Sequence, residues 1–324
     1  MQFRKLSTAG PVVSSLGLGC MGMSGAYGPA DRDESIATIH AALDAGITLI
    51  DTAPLYRDCE TVIAAAFEGA PATHLRFTTK CYLGGPDPAT VPGRIRQSLE
   101  ASLTAMRLAH ADIYFLHTNI CADDYIYARG QDRRDQFATP WSTYGGQVIP
   151  TMLALKAEGR IGAWGITGIG VPAAIHDALA LADKPDVIQA ITNLLDSAGG
   201  IRSFAEPAAP RPIIAAAKAA GCGVMGIRAV QAGALTLAID RTVKASHPES
   251  TDYVRAAPFR DLCGEIGEDP AIVAHRYALS MPGVDTVVLG VKNRAELRQC
   301  LDAETAGPLA PELMARIDGL GLRE

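Results

Sequence analysis

Asp51, Tyr56, Lys80 and His117 put a carboxylate, a phenol, an ammonium and an imidazole at or just past the ends of three successive apolar runs. Asp51-Thr52-Ala53-Pro54-Leu55-Tyr56 begins where the run Leu49–Ala53 ends, and a tyrosine five residues past a strand-end aspartate reaches back over the same rim. Phe77-Thr78-Thr79-Lys80 closes the run Leu75–Cys81, and Tyr114-Phe115-Leu116-His117 closes Asp112–His117. Singly, each has an ordinary explanation. A strand-end Asp or His often caps a helix or satisfies a core partner, a lysine can snorkel to solvent, and one tyrosine means little. Together, in that order, they gather polar groups on the face where parallel barrels carry out chemistry. Lysine is also scarce, seven residues against 22 arginines, so one inside an apolar stretch stands out.

The elements that must position these groups repeat along the chain. Short apolar runs at Leu16–Met21, Leu49–Ala53, Leu75–Cys81, Asp112–His117, Ala163–Gly168, Val187–Asn193, Val224–Val230 and Thr286–Val291 read as strands. Between them apolar residues recur at helical spacing: Ile36, Ile39 and Leu43; Ile95, Leu99, Leu103 and Met106; Ile272, His275 and Leu279. Glycine follows several helices just before the next strand, as in Asp44-Ala45-Gly46, Glu158-Gly159 and Ala220-Gly221, which is a helix C-cap signature. Eight strands, each followed by a helix, with few strands alternating in polarity, predict a closed parallel (β/α)8 TIM barrel. No composition break divides the chain, so one domain over residues 1–324 is expected.

Two stretches interrupt the alternation. Residues 118–147 hold Asp123, Asp124, Tyr125, Tyr127, Arg129, Trp141 and Tyr144 with no apolar period, and residues 231–258 contain Lys244, His247 and Pro248. Connections this long are usually functional loops or disordered. Following the fourth and seventh strands, both would lie over the C-terminal mouth.

Gly17-Leu18-Gly19-Cys20-Met21-Gly22 matches the glycine fingerprint of a Rossmann dinucleotide site, with Asp51 as a candidate acidic partner. In that fold the helix opens inside the motif to meet the pyrophosphate. Here Met23-Ser24-Gly25-Ala26-Tyr27-Gly28-Pro29 intervenes and the helix begins near Asp31–Ser35. The better reading is a glycine-rich strand-to-loop turn whose backbone approaches a ligand.

Bulk properties exclude several classes. A formal charge of −6 offers no basic field for nucleic acid. The seven cysteines, from Cys20 to Cys300, are scattered without a CxxC, which argues against a disulfide framework or a metal site. MQFRKLSTAG lacks the apolar core of a signal peptide, and no run of about 20 apolar residues could span a membrane. A cytoplasmic protein is expected, of unspecified oligomeric state.

With Leu116-His117, Thr79-Lys80 and Asp51-Thr52-Ala53 with Tyr56 added to the glycine run, the chain resembles the aldo-keto reductase superfamily. The likeness continues through Leu155-Lys156 with Glu158-Gly159-Arg160-Ile161, Gln189 with Asn193-Leu194-Leu195-Asp196, and Gly290-Val291-Lys292-Asn293. The resemblance implies an NAD(P)H-dependent oxidoreductase reducing an aldehyde or ketone. Tyr56 would be the general acid, Lys80 held by Asp51 would lower the phenol's pKa, and His117 would orient the substrate oxygen and help with the proton. It also implies a cofactor extended across the mouth. Met21 and Asp51 would lie beside it, Gln189 with Thr167 and Gly168 would hold the carboxamide, and Gly233 would cover the pyrophosphate. Gly290 and Lys292 would meet the adenosine ribose, where a cation favours NADPH, with Arg294 or Arg298 next in line; NADH remains an alternative.

The chain departs from the family's pattern at several points. Arg57 follows Tyr56 where glycine is common, Thr167-Gly168 replaces a Ser-Asn pair, and Thr192 stands where an aromatic often stacks on nicotinamide. Glu296 and Cys300 replace Gln and Asn near the adenine, and a carboxylate beside a 2′-phosphate is repulsive. Glu296 thus keeps an NAD-linked sugar (aldose) dehydrogenase in view. An NADPH-binding regulatory subunit, as among potassium-channel auxiliary proteins, is a third reading. Retention of all four polar groups and the lack of an appended interaction segment argue against it. A barrel hydrolase or lyase would need a nucleophile motif or metal cluster that the sequence lacks.

Overall fold

The structure, a computed structural model, describes all residues except 9, 68 and 128–130, and only the backbone of 131 and 132. Arg129 therefore lies outside the described residues. The strands are β1 (Phe3–Lys5), β2 (Val12–Ser14), β3 (Leu16–Gly19), β4 (Leu49–Asp51), β5 (Arg76–Cys81), β6 (Ala111–Leu116), β7 (Asn119–Cys121), β8 (Ala138–Pro140), β9 (Ile161–Thr167), β10 (Val187–Ile191), β11 (Gly223–Ile227) and β12 (Thr286–Leu289). β3, β4, β5, β6, β9, β10, β11 and β12 close into a parallel barrel in that order. The expected (β/α)8 barrel is the observed fold. All the expected strands but Leu75–Cys81, which ends at Cys81 as observed, ran too far at their C-terminal ends, because those residues leave the ladder to build the mouth.

Strand alternation explains how the barrel places its chemistry. Side chains two residues apart share a face. Inside the barrel, Leu49, Ile113, Phe115, Ala163, Val187, Met225 and Val288 form one buried apolar cluster with Leu6 and Val13 from the N-terminal hairpin β1–β2, which plugs the bottom. One step further toward the mouth on the same inward stripes come Asp51 after Leu49, His117 after Phe115 and Gln189 after Val187. Each such stripe is apolar below and polar at its top.

The helices cover the outside as their spacing requires. Arg32–Asp44 is capped by Asp31, whose carboxylate accepts from the Glu34 N–H at 2.8 Å. Val91–Met106 buries Ile95, Leu99, Leu103 and Met106, the four residues whose spacing marked it. Gly46, Gly159 and Gly221 all end helices with left-handed φ, between 71° and 88°.

Both long stretches contain more structure than the sequence suggests. β7 pairs with β8 in parallel. Helical backbone then runs from Trp141 through a π turn at Tyr144–Val148 into Ile149–Ala157. Tyr144 is fully buried and packs between Trp141 and Trp164, so it belongs to the core and not to a mouth loop. Residues 231–258 include a helix, Pro248–Arg255, with His247 as its N-cap and Pro248 at its first turn. The apparent absence of period reflects short elements, too brief to show one.

Candidate active site

Lys80 is the centre of the polar cluster. It is fully buried, and its ammonium gives one hydrogen bond each to Asp51 Oδ2 (2.7 Å), the Thr52 carbonyl (2.9 Å) and the Tyr56 hydroxyl (3.3 Å). All three N–H donors of the ammonium are thus used. Asp51 Oδ1 accepts from Thr78 Oγ1 at 2.5 Å and from Gln189 Nε2 at 2.7 Å. Thr78 was not singled out in the sequence, although it lies two residues before Lys80 and so on the same strand face. Lys80 does not snorkel.

Burial works against the Lys80 charge, but Asp51 and Tyr56 more than offset it, and its pKa lies above the ordinary lysine value. Tyr56 is pushed upward, because desolvation of its phenolate outweighs the opposing pull of Lys80. This runs against the expectation that Lys80 would bring the phenol down toward neutrality: burial holds the hydroxyl protonated. The phenolic oxygen accepts from Lys80, leaving its own proton free to be given away.

His117 meets the Tyr56 ring edge-on, with ring centroids 5.8 Å apart, and meets Tyr82 similarly at 6.1 Å. Burial first, then Lys80, lowers its pKa to about 3, so the imidazole is neutral near pH 7. Its Nδ1 is buried without a hydrogen-bond partner, an orphan that a bound polar group could satisfy.

These side chains open onto a cavity of about 590 Å³, within the range of small-molecule sites. Of the sequence-derived residues, Met21, Asp51, Tyr56, His117, Thr167, Gln189, Gly233, Gly290, Lys292 and Glu296 line it. Gly168 does not; its N–H is given to the Gln189 carbonyl at 2.7 Å. Gln189 commits one of its two amide N–H groups to Asp51, so its oxygen and the other N–H are left for a carboxamide. Thr192, which stands where an aromatic often stacks, packs on Gly226, bonds the Ile227 carbonyl at 3.3 Å and does not line the cavity.

The far wall is built by the connection after β11. Gln231, Ala232 and Gly233 all have left-handed φ (49°, 50° and 92°), as does Arg228 at 61°. Non-glycine residues pay for that conformation, so their neighbours must hold it. Arg228 pairs with the buried Glu249 at 2.9 Å, and Gln231 bonds Asn193 (3.1 Å) and Asp252 (2.7 Å). The result is a tightly bonded loop along the cavity wall, in which the Gln231, Gly233 and Ala234 N–H groups donate to carbonyls of the same turn.

At the end of β12, Lys292 contacts two carboxylates: Glu296 at 2.8 Å and Asp240 from the opposite wall, closer still. Glu296 is not a loose repulsive charge. Its Oε2 accepts from the Lys292 N–H at 2.9 Å, and its own N–H is capped by Asn293. Arg294 is held by Glu34 and Arg298 by Asp302. Asp240 carried no sequence signal.

The glycine run has a packing origin. A Cβ on Gly19 would lie 2.3 Å from the Leu289 carbonyl, and one on Gly22 would lie 2.3 Å from that of Val291. A side chain here would collide with the backbone of Leu289 and Val291, and Gly19 also lines the cavity. Arg57 has a φ of 53°, which explains why glycine suits the position after Tyr56.

A profile of the aldo/keto reductase family matches residues 15–321. L-galactose dehydrogenase of Arabidopsis thaliana is 24% identical over 312 residues, covering 94% of this chain and 88% of that protein. NADH-specific methylglyoxal reductase of Escherichia coli (strain K12) is 28% identical over 214 residues, 60% of this chain and 59% of that protein. Among solved structures, aldo-keto reductase AKR11C1 from Bacillus halodurans, in its holo form, superposes with a TM-score of 0.72 at 22% identity, covering 99% and 96% of the two chains.

Proposed function

The chain belongs to the aldo/keto reductase family, and from that premise we propose that it reduces an aldehyde or ketone to its alcohol, as one catalytic domain spanning residues 1–324. The observation that carries this reading is the fully engaged ammonium of Lys80, which binds Asp51, Thr52 and the Tyr56 oxygen together. Tyr56 is the proton donor in this reading. Desolvation keeps the phenol protonated at neutral pH, and the adjacent ammonium stabilises the phenolate left after transfer. Neutral His117 orients the substrate oxygen, and Asp51 fixes Lys80.

The cavity lining supports a nicotinamide nucleotide as cofactor, which supplies the hydride when bound. The Gln189 oxygen and Thr167 suit its carboxamide end, Gly233 and its strained neighbours its diphosphate, and Gly290, Lys292 and Glu296 its adenosine end. The resemblance favours NADPH through Lys292, with Glu296 set against it; the pairing of Lys292 with both Asp240 and Glu296 weighs further against that preference. Leu55, Ile201 and Leu237, exposed apolar residues on the cavity wall, favour an uncharged carbonyl substrate. Buried, unpaired cysteines fit a reducing compartment such as the cytoplasm.

The two carboxylates at Lys292 also favour a second reading, an NAD-linked oxidation of a sugar hydroxyl, in which the same groups run in reverse. Both directions need Tyr56. The test is turnover of a panel of small aldehydes, ketones and sugars with NADH, NADPH and their oxidised forms, in wild type and Tyr56→Phe. Loss of every activity in the variant, with nucleotide binding kept, is expected; an unchanged rate overturns the assignment.

A further inference from the structure

We propose that Asp240 makes this site select a nicotinamide dinucleotide that lacks a 2′-phosphate. The inference rests on the nicotinamide reading above and adds a residue that determines which nucleotide is taken. Asp240 comes from the connection between β11 and Pro248–Arg255, and Lys292 from the residues just past β12, 52 positions later; both line the same end of the cavity.

The charge count at that end is the argument. Lys292 and Arg241 contribute two positive charges and Asp240 and Glu296 two negative ones, so the cluster is neutral and each of its charges already has a partner before any ligand arrives. A phosphate monoester would bring a further charge of about −1.5 to −2 at pH 7. To reach Lys292 it must displace Asp240 and then stand beside the freed carboxylate. A ribose with both hydroxyls intact faces the opposite situation, since hydroxyls donate to a carboxylate; an acidic residue reading the 2′-OH is how NAD sites in another fold discriminate. No other cation on the cavity wall is idle. Arg228 is paired with Glu249, and Arg241 donates to the Ala232 carbonyl at 2.9 Å, lies over the Tyr27 ring and stands 4.0 Å from the Asp240 carboxylate.

Asp240 and Glu296 differ in how cleanly they can be tested. Glu296 also braces the start of Arg294–Ala306 through the Lys292 N–H, so replacing it disturbs a helix end. Asp240 is half exposed and its close contact is with Lys292, so Asp240→Asn removes the charge while keeping the shape.

The experiment is isothermal titration calorimetry of the full chain with NADH and with NADPH, at one ionic strength, with no substrate present. Wild type is expected to bind NADH more tightly. In Asp240→Asn the ratio of the NADPH to the NADH Kd should fall by about tenfold or more, the scale of one charge-assisted contact. Raising the salt concentration should narrow the wild-type ratio, because screening weakens the repulsion. Tighter wild-type binding of NADPH overturns the proposal while leaving the nicotinamide reading intact, and so does an Asp240→Asn variant whose two Kd values move by the same factor. Failure of both nucleotides to bind overturns both readings.

Discussion

The Lys80 ammonium donates to the Tyr56 phenolic oxygen across 3.3 Å while remaining wholly out of solvent. That single contact constrains where the phenolic proton can point. An oxygen that accepts from a cation keeps its own proton pointing elsewhere, and elsewhere here is the cavity. Tyr56→Phe preserves the ring and deletes the proton. Turnover should drop by about 10²–10⁴-fold, the usual worth of a general acid, with nucleotide Kd unchanged by calorimetry.

Removing Lys80 exposes the cost of its setting. Lys80→Met leaves Asp51 buried beside an apolar chain, and breaking a buried pair from one side costs about 3–5 kcal/mol. Lys80→Met with Asp51→Asn should recover part of that loss, because no uncompensated charge remains. Urea unfolding of the two single variants and the double variant measures it; simple additivity of the single losses would show that the pair is not coupled.

His117 links stability to pH. Its folded pKa of about 3 lies below the ordinary histidine value of about 6.5, so the unfolded chain binds the extra proton first as pH falls. Stability associated with the neutral ring is full above about pH 6.5 and is lost progressively between about 6.5 and 3, by up to about 5 kcal/mol. His117→Gln should flatten the stability curve in that window. The wild-type rate should show no inflection near pH 6.5, since the ring stays neutral there; a rate step at that pH would contradict the burial argument.

Gly19→Ala tests the origin of the glycine run. Its new Cβ would meet the Leu289 carbonyl at 2.3 Å, a backbone atom that can yield only by shifting a barrel strand. A loss of about 1–3 kcal/mol, typical of overpacking, is expected in thermal or urea unfolding without any nucleotide present. A variant of wild-type stability that only weakened nucleotide binding would restore the ligand-approach reading.

Arg57 should be improvable. Glycine relieves a left-handed conformation that costs other residues about 1–2 kcal/mol, and returns part of the gain as unfolded-state entropy. Arg57→Gly is expected to stabilise the protein by about 0.5–1 kcal/mol, read as a higher urea midpoint at unchanged slope. A lower midpoint would mean that the guanidinium, packed near Gly25, contributes more than the strain costs.

Much of this architecture is legible in the sequence because it is set by short-range rules. Helical spacing marks Val91–Met106, glycine at 46, 159 and 221 marks helix ends, and the period of two carries Leu49 to Asp51 and Phe115 to His117 on one inward face. Asp51, Tyr56, Lys80 and His117 could be found together for that reason: each stands at or just past the end of a strand whose neighbours are known once the barrel is recognised. What the tertiary structure alone decided are the contacts between distant segments. Gln189 gives its amide to Asp51 across 138 positions, and Asp240 reaches Lys292 across 52. Neither pairing leaves a periodic or local trace, because barrel closure and loop geometry choose the partners. The same closure surrounds the half-buried Tyr56, so that desolvation raises its pKa against the pull of Lys80, a balance that residue types and spacing do not contain.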